Sequence, residues 1–470
     1  MSEVESRSDS KLSERILRAI GADVFAQIIN VGSRIILVPL FLSQWGGHLY
    51  GEWLVLTALS AWFALGDLGA QAYYVNKLTE RWANQDISAF VKFFTTGLAT
   101  YLFASGGLFF IVSIFLLNYD GMLFGVSSLT KTEIDLIVLM IAMRFLISLP
   151  LGLYLGVYRA INRQATGIMF GNAMDITQLL LTAVVLIIGI GQPLHVAVIE
   201  CLIPLLFFPL VIFHLNKIMG DGVVLLGRRH FDPIIFRQAF SPSVHFLLIT
   251  LSQAIMAQGI VLVLAGIVSP VKIALFSSLR TLSSIFLKSV NIVSHASWPE
   301  LTRLSAIADI EGLTRLFRAV TRATFLISFG FIFIVSCLGH AIFRLWVGDN
   351  LVYDHGMLLS LAGGGVLSSF VSLLMYLLMA TNRHVEFSRV LLVSNVVGLC
   401  IFHFSVIQFG MSVGFLSAVV SQSALCLLFL RRKYYLLGLA NLFTICVRYL
   451  ALTFALVLVI FITYRGFNVF

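Results

Sequence analysis

The chain has 470 residues, 59% hydrophobic and only 11% charged, with a formal net charge of +9. So little charge over so many apolar positions excludes a water-soluble enzyme or binding module and defines a polytopic integral membrane protein. Five cysteines without paired spacing and ten scattered histidines, with no His-x-x-x-His or Glu-x-x-His pair, give no reason to expect disulfides or a metal centre.

In chain order, residues 1–19 form a polar, charged tail, and the first apolar run is long enough to span a bilayer and to act as its own insertion signal. Apolar runs of roughly 20 residues then recur near 20–44, 51–75, 91–117, 133–158, 167–190 and 194–216. A basic interruption at 217–239, holding Lys217, Arg228, Arg229 and Arg237, separates these six from a second six near 240–266, 271–297, 320–346, 356–380, 386–408 and 411–430. The segment 434–470 carries a thirteenth run, near 446–464. The runs are continuous rather than alternating, so they predict a helical bundle and not a barrel. The expected organisation is an N-lobe at 20–216, a linker at 217–239 and a C-lobe at 240–433. Both lobes open alike, as Ala26-Gln27-Ile28-Ile29 and Ser252-Gln253-Ala254-Ile255 illustrate.

Lysine and arginine sort almost completely onto alternate loops. With the N-terminus in the cytoplasm, the far side receives only Lys131, Lys272, Arg344 and Arg465. The positive charge therefore reflects membrane orientation beside anionic lipid headgroups rather than nucleic-acid binding.

Against this background the intramembrane charges stand out, because a charge at bilayer depth costs on the order of 3 kcal/mol and needs a partner, a cavity or a ligand. Arg34, Arg144, Arg280 and Lys288 all lie inside apolar segments. Polar residues recur at helical spacing around them: Asp23, Gln27, Asn30 and Arg34 in the first span; Asp67, Gln71 and Tyr74 in the second; Asn172, Asp175, Gln178 and Thr182 in the fifth; Arg280, Ser284, Lys288 and Asn291 in the eighth. Such stripes either bond helices together or line a cavity. Near mid-depth the cations outnumber the carboxylates, which favours a positive cavity for an anionic group, and arginine's planar fork suits phosphate. The candidate ligands are Arg34, Arg280, Lys288, Arg144, Asn30, Gln27 and Asn291, with Asp23, Asp67 and Asp175 as candidate coupling-ion sites.

Several landmarks carry a resemblance. Phe41-Leu42-Ser43-Gln44-Trp45-Gly46-Gly47-His48-Leu49-Tyr50-Gly51, then Asp67-Leu68-Gly69, resembles the opening of the Wzx-type polysaccharide flippase family of the multidrug/oligosaccharidyl-lipid/polysaccharide exporter superfamily. Gly156-Val157-Tyr158-Arg159 with Asn162-Arg163, Trp298-Pro299-Glu300-Leu301 and Leu345-Trp346-Val347-Gly348 resemble later landmarks, in order, between about residues 15 and 435. The thirteenth segment and His48 depart from the family pattern. The resemblance implies an all-α, MATE-like, V-shaped pair of six-helix bundles in the bacterial inner membrane. It also implies movement of an undecaprenyl-pyrophosphate-linked oligosaccharide to the periplasmic leaflet by alternating access, alongside polysaccharide polymerase and chain-length machinery. No phosphate-binding Gly-x-x-x-x-Gly-Lys-Ser/Thr loop is present, so no ATP hydrolysis and no cofactor are expected. A MATE-like drug/cation antiporter would instead need an acidic cavity. A membrane polymerase or ligase would need a long catalytic outer loop, whereas the outer loops here, the largest near 118–132 and 347–355, are short.

Overall fold

A computed structural model describes residues 2–63, 67, 69–118, 126–220, 231–306, 309–380 and 385–467; at some positions within its helices, Asn291 among them, the side chain lies outside that description. The described chain is helical: α1 (Ser2–Phe63), α2 (Ala70–Ala83), α3 (Ile87–Asn118), α4 (Lys131–Ala160), α5 (Gln164–Ile187), α6 (Pro193–Met219), α7 (Pro233–Ala254), α8 (Ile260–Ala265), α9 (Pro270–Ala306), α10 (Ile310–Val347), α11 (His355–Ala380), α12 (Val385–Leu436) and α13 (Ala440–Phe467). Among the described residues, nine helical segments are long and apolar enough to cross a membrane.

Two of these helices are hairpins. Gly46 in α1 adopts φ 68°, a left-handed conformation that costs glycine nothing. The Phe41 and Tyr50 rings across it stack at 5.5 Å, which nine residues of unbroken helix, about 13 Å of rise, would not permit. Gly410 in α12, at φ 83°, does the same: a Cβ on Gly414 would lie 3.1 Å from Val406, so the arms 385–409 and 411–436 fold back on each other.

The second span is discontinuous. Its first part is the second arm of α1, and its continuation, α2, starts at Ala70 after Gly69 in a left-handed conformation. Asp67 therefore lies before the break at Gly69, outside the helix that carries Gln71 and Tyr74. The seventh span is also irregular, passing from α7 through a π-helical turn at Ile255–Gly259 into α8.

The chain divides into two compact units, residues 1–250 and 251–470. In the first, aromatic side chains from α2, α3, α4 and α6 fill the core: Tyr74, Phe90, Phe94, Tyr101, Tyr154 and Tyr158 are buried, and Ile235 and Ala239 of α7 close it. Each buried hydroxyl needs a partner; Tyr74 meets Thr100 at 3.0 Å and Tyr158 meets His214 Nδ1 at 2.7 Å. In the second, Phe317, Phe370, Leu374, Phe387 and Tyr434 join α10, α11 and α12. Helix α13 is part of that core: Leu442, Cys446 and Leu450 are buried in it, and the Cys446 thiol faces the Phe370 carbonyl at 3.7 Å. Large apolar side chains such as Phe103, Leu117 and Phe213 remain on the outside, as expected where the surrounding solvent is lipid.

Candidate functional site

On the first arm of α1, Ala22, Ile29 and Val38 are buried, while Asp23, Gln27, Asn30 and Arg34 share the exposed face. The buried face packs on α5, where the Asn172 side-chain amide donates to the Ala22 carbonyl at 3.1 Å. Among the described residues Arg34 has neither hydrogen bond nor ion pair.

Arg144 of α4 is placed differently. Its guanidinium forms an ion pair with Glu200 of α6, and its other terminal nitrogen lies 3.5 Å from Gln178 Oε1 of α5. One cation thus ties three helices of the first unit together.

The second-span and fifth-span polar residues converge. A cavity of about 640 Å³ within the first unit is lined by Asp67, by Gln71 of α2, by Gly152, Gly156 and Arg159 of α4, and by Asn172 and Asp175 of α5. Asp67 Oδ1 accepts from the Tyr101 hydroxyl at 2.9 Å and the Gln71 backbone N–H at 3.2 Å, and Gln71 Nε2 donates to the Gly152 carbonyl at 2.9 Å. The chamber holds two carboxylates and one guanidinium around amide groups, an environment suited to a small cation or proton.

Sequence reasoning did not include Tyr101 or Arg159 in this site. The available signal was Gly152-x-x-x-Gly156, a spacing that lets two helices approach closely. It does so here between α4 and α2, and the space beside it is the cavity.

In the second unit, Arg280 of α9 donates to the carbonyl of Ala257 within the π-helical turn and lies over the Phe276 ring at 5.3 Å. A π turn shifts the backbone bonding register and frees a carbonyl, and the guanidinium takes it. Lys288 lies half-buried on the same helix, two turns further on; the Asn291 side chain lies outside the described residues. Among the described residues no group of histidine, cysteine and carboxylate side chains could hold a metal.

No family model and no curated protein sequence matches the chain. Solved structures do. An inward-facing multidrug-resistance MATE-family transporter of the MOP superfamily is similar with a TM-score of 0.73 and 12% identity, over 89% of this chain and 99% of that one. The lipid II flippase MurJ, in an inward closed conformation, is similar with a TM-score of 0.66 and 14% identity, over 96% and 98%. The MATE multidrug transporter DinF-BH, solved in a ligand complex, gives 0.62 and 13%, over 92% and 96%. The chain is an all-α membrane protein with the fold of MOP-superfamily transporters. That fold is common to multidrug transporters and to a lipid II flippase, and at these identities the likeness is one of architecture.

Proposed function

We propose that the chain is a flippase, not an enzyme, that carries an undecaprenyl-pyrophosphate-linked oligosaccharide unit from the cytoplasmic to the periplasmic leaflet of a bacterial inner membrane. Two lobes, 20–216 and 240–433, joined by the linker 217–239, alternate access, with the N-terminus cytoplasmic and the polysaccharide polymerase and chain-length machinery as downstream partners. The observation that carries this reading is Arg34: a mid-span guanidinium, exposed, on a stripe with Gln27 and Asn30 and without an ion pair among the described residues. A charge there is stable facing a water-filled cavity or an anionic ligand, and pyrophosphate matches its fork. Arg280, Lys288 and Asn291 are the corresponding ligands on α9, Arg144 supports through its pair with Glu200, and Asp23, Asp67 and Asp175 take the coupling ion.

The test is export by cells carrying Arg34→Ala or Arg280→Ala. Both variants should insert normally, lose surface polysaccharide and accumulate the lipid-linked unit, while lysine at either position restores only part of the flux because it lacks the bidentate fork. Full export by both alanine variants refutes the reading.

One observation favours a second reading, a drug/cation antiporter: the Asp67–Asp175 cavity carries more acid than base. In that case Asp175→Asn should abolish drug resistance conferred by the chain while leaving surface polysaccharide unaffected.

A further inference from the structure

Helix α10 is 38 residues long, about 57 Å, nearly twice the apolar thickness of a bilayer. Residues 323–343 are free of Lys, Arg, Asp and Glu and span about 31 Å, which fits that thickness. Arg322 therefore stands at the edge of the apolar layer, with Arg318 about 6 Å and Arg315 about 10 Å beyond it, at headgroup level. All three are exposed on one face, opposite the buried Leu313, Phe317, Val320 and Thr324.

The face is shaped as well as charged. A cavity of about 500 Å³ is lined by Arg315, Arg318 and Arg322 together with Thr314 and a single carboxylate, Glu311. The Tyr449 hydroxyl of α13 accepts from Arg322 Nε at 3.1 Å, and the Tyr449 ring packs on Phe325 at 5.4 Å. That hold engages Arg322 through Nε and leaves its terminal nitrogens without a hydrogen bond or ion pair among the described residues. Arg315 and Arg318 have no hydrogen bond or ion pair among the described residues.

We propose that this face of α10 binds the phosphate of an anionic phospholipid headgroup. The height of the three guanidiniums matches a lipid phosphate, the excess of positive charge favours a headgroup with net negative charge, and the arginine fork suits phosphate oxygens. The site belongs to the second unit alone and is independent of which substrate is transported.

The test uses the full chain purified in a neutral detergent and counts bound phosphatidylglycerol by native mass spectrometry, with phosphatidylcholine and inorganic phosphate as separate arms. Phosphatidylglycerol should bind most tightly. Replacing all three arginines (Arg315→Gln, Arg318→Gln, Arg322→Gln) should weaken it by about fivefold per arginine, about 100-fold in all. The control pair Arg431→Gln and Arg432→Gln should leave it unchanged. An affinity within twofold of wild type in the triple variant overturns the proposal. So does equal binding of phosphatidylcholine, or displacement by inorganic phosphate at matched concentration, which would mark a free-anion site. If the triple variant is not recovered folded, the wild-type salt dependence decides: binding should fall steeply with added salt, and salt-insensitive binding overturns the proposal.

Discussion

Gly156→Ala tests the close approach that shapes the first-unit cavity. A Cβ on Gly156 would lie 2.3 Å from Val75 Cγ2, whereas ordinary contact begins near 3.4 Å, so α4 and α2 must part by about 1 Å or Val75 must move. Val75 is buried, and its branched side chain has few rotamers to use. Overpacking of this kind costs about 2 kcal/mol (range 1–3) and alanine's better helix propensity returns at most about 1, so a net loss of about 1–2 kcal/mol is expected. Gly330→Ala is the control, because nothing lies within 4 Å of its Cβ and only the propensity gain applies. Thermal unfolding of the purified chain in detergent should therefore show opposite signs for the two substitutions. Adding Val75→Ala removes the clashing methyl groups, and the double variant should recover at least about 1 kcal/mol relative to the sum of the singles. A neutral Gly156→Ala, or strict additivity with Val75→Ala, refutes the close α2–α4 approach at this position.

The Arg144–Glu200 pair should show a coupling of about 0.6–1.7 kcal/mol in a double-mutant cycle of alanine substitutions read by thermal unfolding, and zero coupling would remove the three-helix tie. Glu52, only 1% exposed, accepts from the backbone N–H groups of Ser127 at 2.6 Å and Ser128 at 3.0 Å; Glu52→Gln should weaken these charge-assisted bonds by about 1–3 kcal/mol and speed hydrogen exchange at residues 126–130. Unaltered exchange there would show that the loop is held by other contacts. Reporter fusions after Arg229 and after Asp349 should report opposite sides of the membrane, and the same side for both contradicts the proposed topology.

The helical class was legible because lipid forces it: a chain with this many apolar runs must satisfy its backbone within helices, and each run is a local signal. The reversals at Gly46 and Gly410 were readable for the same reason, since short polar and glycine-containing turns interrupt apolar sequence. The break at Gly69 was not. Asp67, Gln71 and Tyr74 keep helical spacing, so periodicity alone threads one helix through them. What stabilises a break is a partner far along the chain, here the Tyr101 hydroxyl on α3, and no local pattern reveals that choice. Which cation finds a carboxylate is equally non-local, as Arg144 and Glu200 lie on different helices 56 positions apart. The stripes indicated which faces are polar but not which polar groups consume one another.

That distinction alters the standing of the intramembrane cations. Glu200 cancels the charge of Arg144, so this arginine can add little to the attraction of an anion across a low-dielectric interior. Arg280 is also engaged: it donates to the Ala257 carbonyl and lies over the Phe276 ring. Both contacts hold the guanidinium in one place, and the π turn supplies the carbonyl. A guanidinium held in this way has less side-chain entropy left to lose. Arg34 has no such tether among the described residues. On electrostatic grounds Arg144 holds the first unit together, and Arg34, without an ion pair among the described residues, is the candidate of that unit whose charge the proposed reading can use.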